Sequence, residues 1–257
     1  MIAISLGWGT QSFALAAMSA LGELPPVDVA IHADTGYERA ATYAFAAKWT
    51  PWLEERGVRV VTVRPDEASQ SAPGLNARGG VSLPAYNEYG GQFPRQCTTD
   101  WKIKPIRRWY QANRRNGERV LQWIGITCDE GRRAKPADVG YVFNVYPFLG
   151  IGQTMPDGQP WSRKRVVEWL KAHDLEVPPR SSCCFCPFMS GHEWRRIAET
   201  PADWERAVAV DEAIREARLP GKLYCHKSLL PLREIDFTAQ HELDLLWGAE
   251  CSGLCGV

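Results

Sequence analysis

Residues 2–12, IAISLGWGTQS, decide the fold of this chain. Residues 2–6 form a short apolar run that is typical of a buried parallel strand, and a glycine-containing turn follows it. Residues 12–21 then predict a helix built largely from small side chains. A strand, a glycine turn and a helix N-terminus present backbone N–H groups to an anion. The stretch therefore predicts either a phosphate-binding turn or a connection that needs glycine only for its conformation.

The remaining apolar patterns predict an α/β fold with a doubly wound, mostly parallel sheet. Residues 65–95 have no sustained period and predict a functional lid or a disordered strip. We expect an α/β domain over residues 1–150 and a helical, cysteine-bearing region over residues 151–257 that packs on the same domain. Further strands are predicted at 27–33, 58–63, 120–126 and 142–148. Further helices are predicted at 39–56, 99–115, 162–172, 191–198 and 202–217, and shortly before the C-terminal tail. The helix at 39–56 is expected to be interrupted or kinked near Pro51.

Charge and composition limit the possible partners. Lys and Arg total 30, as do Asp and Glu, so attraction to nucleic acid requires a local basic patch. No run approaches the ~18 apolar residues of a membrane span, and no basic leader precedes the first strand. We therefore expect a cytoplasmic protein without membrane contact, in which clustered cysteines serve metal, iron–sulfur or thiol chemistry.

Polar side chains gather where the second predicted strand ends. His32 lies within that strand, and Asp34, Thr35, Gly36 and Glu38 follow it. In open α/β sheets ligands bind at the carboxyl edge of the strands, so these residues are expected beside the first glycine turn.

These two motifs together carry a family resemblance. The pattern S-x-G-x-G-x-x-S of residues 5–12 and the pattern D-T-G-x-E of residues 34–38 resemble the PP-loop ATP pyrophosphatase superfamily. Within it they are similar to the phosphoadenosine phosphosulfate reductase-like proteins, whose fold is of the adenine nucleotide alpha-hydrolase type. The match continues through residues 95–105, 125–133, 146–147, 183–188 and 250–257, and so covers nearly the whole chain.

The resemblance implies an adenine nucleotide site for ATP with Mg²⁺ in residues 1–150. One departure is present, because Gln11 stands where the superfamily loop S-G-G-x-D-S has its Asp. Asp34 is then the expected carboxylate nearest the metal ion, and the paired guanidinium groups of Arg132 and Arg133 suit a phosphate or sulfate. The expected nucleotide contacts are Ser5, Gly7, Gly9, Gln11, Ser12, Asp34, Thr35, Gly36, Arg132 and Arg133.

The cysteines form a second candidate site. Residues 183–187, CCFCP, contain C-x-x-C, a spacing with which two thiolates reach one metal ion or cluster. Cys251 and Cys255 form another pair, so a zinc ribbon made by the two pairs is an alternative. Cys97 precedes a predicted helix whose dipole is expected to lower the pKa of its thiol. Cys128 and Cys225 are predicted to be structural, with Cys128 buried.

The family resemblance favours a [4Fe–4S] cluster over zinc. Relatives with such cysteines, including thiolating enzymes with three protein ligands, hold this cluster. The resemblance implies Cys97, Cys183 and Cys186 as ligands, with Cys184, Cys251 or Cys255 competing for the fourth position.

A basic run extends from Lys102 to Arg119, with Trp101, Trp109 and Tyr110 in or beside it. The run predicts either a solvated helix face or a surface for tRNA or DNA, with the aromatic rings stacking on bases. Lys102 is also a candidate contact for a phosphate.

Three functions from different classes follow. The favoured one is an ATP-dependent sulfur transferase that adenylates a nucleic acid, a nucleobase or a small molecule and replaces oxygen by sulfur from a sulfur donor. Its expected catalytic residues are Cys97, Asp34 and Lys102, and a homodimer is left open. The alternatives are a reductase of adenylyl sulfate or its 3′-phosphate that releases sulfite, with Cys251 or Cys255 as nucleophile, and a zinc-stabilised module that binds nucleotides or nucleic acid.

Overall fold

The computed structural model describes residues 1–66, 74–76, 78–217 and 221–237. These residues form two compact units, each built from three segments of the chain. Unit 1 comprises Met1–Ala33, Ala41–Val63 and Ile106–Ser181. Unit 2 comprises Asp34–Ala40, the described part of Arg64–Pro105, and the described residues from Ser182 onward. The division differs from the boundary predicted after residue 150, because Asp34–Ala40 and the region before Pro105 group with the C-terminal helices.

The described elements follow the predicted order. The strands are β1 (Ile2–Ser5), β2 (Val29–Ala33), β3 (Val60–Val63), β4 (Tyr86–Asn87), β5 (Val120–Trp123), β6 (Val142–Val145) and β7 (Leu223–Tyr224). The α-helices are α1 (Thr10–Ala20), α2 (Ala40–Glu54), α3 (Lys104–Asn113), α4 (Arg163–Ala172), α5 (Gly191–Ala198) and α6 (Pro201–Arg215). A π-helical stretch, Thr98–Ile103, runs into α3, and a 3₁₀ stretch, Cys128–Arg133, follows β5. Helix α2 continues through Pro51, where a kink was expected.

Unit 1 is built on a five-stranded sheet with the order β3-β2-β1-β5-β6, in which every neighbouring pair is parallel. All five residues of β2 are buried, as expected for a strand covered on both faces. Phe13 of α1, Phe45 of α2 and Val166 of α4 belong to one core, whereas Tyr110 of α3 belongs to another that also contains alternate residues of the strands. Helices therefore cover both faces of the sheet, which confirms the predicted doubly wound α/β fold.

Unit 2 packs α5, α6 and the antiparallel pair β4–β7 around its own core. Ser190 and Glu193 form a capping box that begins α5. Buried Asp211 of α6 accepts hydrogen bonds from the backbone N–H groups of Cys225 (2.9 Å) and Leu232 (3.1 Å), and so ties two later segments to the helix.

Two predictions fall wholly or partly outside the described residues. The predicted C-terminal helix and the tail with Cys251 and Cys255 lie beyond residue 237. The predicted lid at 65–95 is described only in part, and its described portion contains the short strand β4. Among the described helices, none combines the length and apolar character needed to cross a bilayer.

Candidate functional site

The turn between β1 and α1 is held in one shape by Trp8. This residue has a φ of 56°, in the left-handed region that a non-glycine residue adopts only at a cost of about 1–3 kcal/mol. Its ring is buried and packs against Phe13, His32 and Phe45 with centroid separations of 6.3–6.5 Å. Burial of the indole stabilises the strained backbone, so the turn is expected to keep its shape when no ligand is bound.

Neither Gly7 nor Gly9 is required by the conformation of this turn. The φ of Gly9 is −91°, and Gly7 is not among the residues with positive φ. A Cβ atom built on Gly7 would meet its nearest protein atom, Ser181 Oγ, at 3.8 Å, and one on Gly9 would meet Ser181 Cβ at 3.5 Å. Both are ordinary van der Waals distances. Because neither backbone strain nor packing explains these glycines, the structure gives no support to the conformational alternative.

The start of α1 is available to an anion. Gly9 occupies the N-cap position and has no side chain with which to cap the helix. The hydroxyl of Ser12 instead braces the turn, accepting a hydrogen bond from the Gly7 N–H and donating one to the Gly9 carbonyl, each at 3.2 Å. Ser5 lies at the end of β1, opposite Ile31 of β2. The backbone N–H groups of the first turn of α1 are therefore the phosphate-binding groups that this geometry offers.

Gln11 contacts the loop after β5. Its Nε2 donates to Oε1 of Glu130 at 3.0 Å, and Arg133 forms an ion pair with the same carboxylate. Arg132, its predicted companion, is exposed. The backbones approach closely here, since a Cβ on Gly125 would lie 2.8 Å from the carbonyl carbon of Gln11.

The motif of residues 34–38 belongs to unit 2 and contacts the cysteine loop. Oδ1 of Asp34 accepts from the N–H of Gly36 at 2.8 Å, and Oδ2 accepts from Nε of Arg64 at 3.0 Å. The hydroxyl of Thr35 lies 3.4 Å from Sγ of Cys183. Gly36 has a φ of 79°, so here glycine is needed for the conformation. In this arrangement the contacts described for Asp34 brace the turn, while Thr35 contacts a predicted cluster ligand.

A buried ion pair lies beside the thiols. Nζ of Lys102 donates to Oε1 of Glu38 at 3.0 Å, and the Glu38 side chain is only 1% exposed. Burial by itself lowers the pKa of Lys102, but the charge of Glu38 and the nearby Cys183 raise it, and the net shift is upward. Lys102 therefore stays protonated, and its ammonium group is a positive charge that acts on the thiols of Cys97 and Cys183.

The surroundings of Cys97 and Cys183 raise the pKa of both thiols. Burial raises the pKa of Cys183, Glu38 adds to the effect, and Lys102 opposes it. Burial also raises the pKa of Cys97, although Arg95 and Lys102 act in the other direction. The prediction that the helix dipole lowers the pKa of Cys97 is therefore wrong in direction, because desolvation of the thiolate outweighs the nearby positive charges.

One of the three predicted cluster ligands affects the pKa of another. Cys97 contributes to the pKa shift of Cys183, whereas Cys186 acts on Tyr86. The backbone N–H of Cys186 donates to the Cys183 carbonyl at 3.2 Å, which closes the C-x-x-C turn. Within the described ranges, His, Cys, Asp and Glu side chains form no group of three placed to hold a metal ion.

The other cysteines differ in their surroundings. Cys184 and Cys225 are fully buried, and burial raises the pKa of Cys184 to about 12. Cys225 agrees with its predicted structural role, since its backbone is held by Asp211. Cys128 is exposed, so the expectation that it is buried is wrong; the chain leaves the sheet at Trp123, before this residue.

The basic run contributes no continuous stacking surface. Trp101 and Tyr110 are buried in the cores of unit 2 and unit 1 respectively, so their rings cannot stack on bases as predicted. Trp109 is partly buried, with the guanidinium of Arg59 over its ring. The exposed basic side chains of the run are Lys104, Arg108, Arg115 and Arg119.

Sequence reasoning missed two residues near the glycine turn. Ser181, just before the cysteine loop, is the protein residue closest to a Cβ on Gly7 or Gly9. Glu130 lies 119 residues after its partner Gln11. Glu130 follows the strand that pairs with β1, but the strand order was not readable from the sequence, so neither contact had a sequence signal.

Comparisons with known proteins find similarity to solved structures. No protein-family model matches this chain, and no curated protein matches it. Among solved structures, it is similar to a crystal structure of phosphoadenylyl-sulfate (PAPS) reductase from Candida auris in a phosphate complex. The TM-score is 0.44 and the identity 13%, over 69% of this chain and 74% of that chain.

Proposed function

We propose that this protein is an ATP-dependent sulfur transferase. The observation that carries the proposal is the pair of glycines, Gly7 and Gly9, which neither φ nor packing requires. Bare backbone at the start of an uncapped helix suits the close approach of a phosphate. The thiols of unit 2, with the protonated Lys102 beside them, would supply the second element that sulfur chemistry needs.

Unit 1 would act on the nucleotide mainly through position and charge. The N–H groups of the first turn of α1 would hold the phosphates of ATP, and Mg²⁺ would bind together with the triphosphate. An oxygen of the acceptor would attack the α-phosphorus, and pyrophosphate would leave. A sulfur nucleophile would then displace AMP from the adenylated acceptor, which exchanges the acceptor's oxygen for sulfur. Arg132, which is exposed, remains a proposed contact for the leaving phosphates.

The proposed cluster ligands are Cys97, Cys183 and Cys186. Three thiols are a donor set that suits a [4Fe–4S] cluster, and Lys102 would offset part of its negative charge. Such a cluster would supply an iron site for inorganic sulfide. The described thiols are not gathered as a set of three, so the assignment rests on the type of donor and on the effect of Cys97 on the pKa of Cys183. Zinc is the alternative metal, and Cys184, Cys251 and Cys255 stay candidates for a fourth ligand.

The acceptor is proposed by class only. The exposed residues Arg108, Arg115 and Arg119 would contact the backbone of tRNA or DNA, and such binding would weaken as salt is raised. A free nucleobase or a small molecule would not need them. Filter-binding measurements with tRNA and with duplex DNA over a range of salt concentrations separate these cases.

A second function is favoured by one observation. The glycine turn carries no carboxylate of its own, because Gln11 stands at the position of the superfamily Asp. A reductase of adenylyl sulfate or its 3′-phosphate would not cleave a triphosphate at all. A thiolate would attack the sulfur and release the nucleotide, and a second thiol would then release sulfite and leave a disulfide. The two electrons come from the two thiols.

The test begins with protein purified without oxygen. A sulfur transferase with a cluster is expected to be brown, to contain iron and sulfide, and to release pyrophosphate from ATP only when its acceptor is present. Cys183→Ser should remove the colour, whereas Cys128→Ser, which changes an exposed thiol, should not. Sulfite release from an adenylyl sulfate without ATP would replace the proposal by the reductase. Stoichiometric zinc without turnover would replace it by a binding module.

A further inference from the structure

The contact of Gln11 with Glu130 fixes the direction of an amide in the proposed nucleotide site. A carboxylate can only accept hydrogen bonds, so Glu130 holds the NH₂ group of Gln11, at 3.0 Å. The carbonyl oxygen of the Gln11 side chain is thereby directed away from the carboxylate. The Glu130 side chain is 18% exposed and that of Arg133 25% exposed, so the group is largely shielded from solvent.

The backbone around this contact leaves little freedom. Gly125, at the end of β5, approaches the first turn of α1 so closely that a Cβ would lie 2.8–2.9 Å from the backbone of Gln11 and Ser12. Further along, the hydroxyl of Tyr146 accepts from the N–H of Lys135 at 3.0 Å and donates to its carbonyl at 2.6 Å. The segment that carries Glu130 is therefore held in place on both sides, by the close packing of Gly125 and by the hydrogen bonds of Lys135 with Tyr146.

The three side chains have no net charge. Gln11 is neutral, and Arg133 balances the carboxylate of Glu130. An acidic residue in place of Gln11 would instead place a negative charge on the turn beside the proposed phosphates, and a bound metal ion would offset the resulting repulsion.

We infer that Glu130 is a positioning residue of the proposed nucleotide site: it orients Gln11 and, paired with Arg133, keeps this side of the phosphate turn electrically neutral. The inference rests on the proposed function. It deepens that function by adding that Mg²⁺ would be held by the phosphates of the nucleotide rather than by a carboxylate of the turn.

The decisive variant exchanges the two side chains. The double variant Gln11→Glu with Glu130→Gln keeps the composition, the total charge and one amide–carboxylate hydrogen bond, but it moves the negative charge onto the turn. Affinity for ATP is measured by calorimetry in EDTA and again with excess Mg²⁺. We expect metal-free ATP to bind about tenfold more weakly than to the unchanged protein, from repulsion between charges a few ångströms apart. With Mg²⁺ the loss should be less than about threefold, since the ion neutralises the phosphates.

A second variant covers the case in which the exchange disturbs folding. Arg133→Gln leaves the carboxylate of Glu130 uncompensated and should weaken metal-free binding in the same way, whereas Arg133→Lys should restore it. Glu168→Gln, which removes an exposed carboxylate from α4, serves as the charge control and should change neither affinity.

The outcomes separate the two proposals. Equal weakening with and without Mg²⁺, or no weakening, in a folded exchange variant shows a merely structural contact and overturns the inference. A lack of any ATP binding by the unchanged protein overturns the proposed function itself, and the inference with it.

Discussion

Replacing Gly9 by alanine tests whether the glycine turn exists for a ligand. The φ and ψ of Gly9, −91° and 171°, are accessible to alanine, and its Cβ would lie 3.5 Å from Ser181 Cβ. The new methyl group would therefore meet no obstacle in the protein itself. It would stand beside the N–H groups of α1, where the proposed phosphate approaches.

The two expected effects of Gly9→Ala differ in size. Alanine is a poorer N-cap than glycine, which lowers the free energy of unfolding by roughly 0.5–1 kcal/mol. Alanine also reduces the conformational entropy of the unfolded chain, which raises the free energy of unfolding by about 0.4–1 kcal/mol. The free energy of unfolding should thus change by less than about 1 kcal/mol. Loss of one hydrogen bond to a charged phosphate costs about 1.5–3 kcal/mol, which corresponds to roughly a 10- to 150-fold weaker affinity for ATP.

The assay pairs urea unfolding with calorimetric titration of ATP, and Gly125→Ala is the matched control. A Cβ on Gly125 would lie 2.8 Å from the backbone of Gln11, so this variant should lose about 1–3 kcal/mol of stability through overpacking. The reasoning is refuted if Gly9→Ala is stable and binds ATP as tightly as the unchanged protein. It is also refuted if Gly9→Ala destabilises the protein as much as Gly125→Ala does.

Two further predictions concern unit 2. Burial and Lys227 lower the pKa of His226 to about 4, and its Nδ1 accepts a hydrogen bond from the N–H of Ser228 at 3.1 Å. The pKa of histidine in the unfolded chain is about 6.5, so the folded state disfavours the protonated imidazole of His226. The corresponding part of the free energy of unfolding, about 2 kcal/mol after allowance for solvent screening, is fully present above pH 6.5 and is lost as the pH falls toward 4. Urea unfolding should show that slope, and His226→Gln should flatten it. Glu38→Gln should cost about 2–4 kcal/mol by leaving the ammonium of Lys102 without its carboxylate. The double variant Glu38→Gln with Lys102→Met should recover part of the lost free energy of unfolding. A double variant whose loss equals the sum of the losses of the two single variants would contradict this account.

The fold could be predicted because its signals are local. Strands of four or five apolar residues, such as β1 and β2, alternate with helical patterns, and this alternation is typical of a parallel sheet. The glycines of the first turn were equally visible. Their meaning was not, since only the φ values and the distances to Ser181 separate a ligand turn from a conformational one.

What the sequence could not show depends on burial and on distant partners. Cys97 follows the pattern of a reactive thiol, yet desolvation raises its pKa. Trp101 and Tyr110 alternate with basic residues as a stacking surface would, but both complete a core. Glu130 lies in one of the motifs that carry the family resemblance, but the sequence assigned it no role. Its contact with Gln11 requires β5 to lie beside β1, and the sequence does not show that pairing. In each case the missing information is a contact that chain order does not encode.

The alternation of the two units along the chain has a consequence for biosynthesis. The last segment of unit 1 is complete only when the ribosome has reached Ser181. The first segment of unit 2, which begins at Asp34, has been synthesised long before that point. Unit 1 can therefore complete its fold only after two segments of unit 2 have also been synthesised, whereas in the usual order an N-terminal domain folds before the next one emerges. Nascent chains should expose the apolar strands of the sheet for most of translation. Truncation after Ser181 would keep all three segments of unit 1 together with two segments of unit 2 that lack the rest of their unit, so the shortened product is expected to aggregate or be degraded.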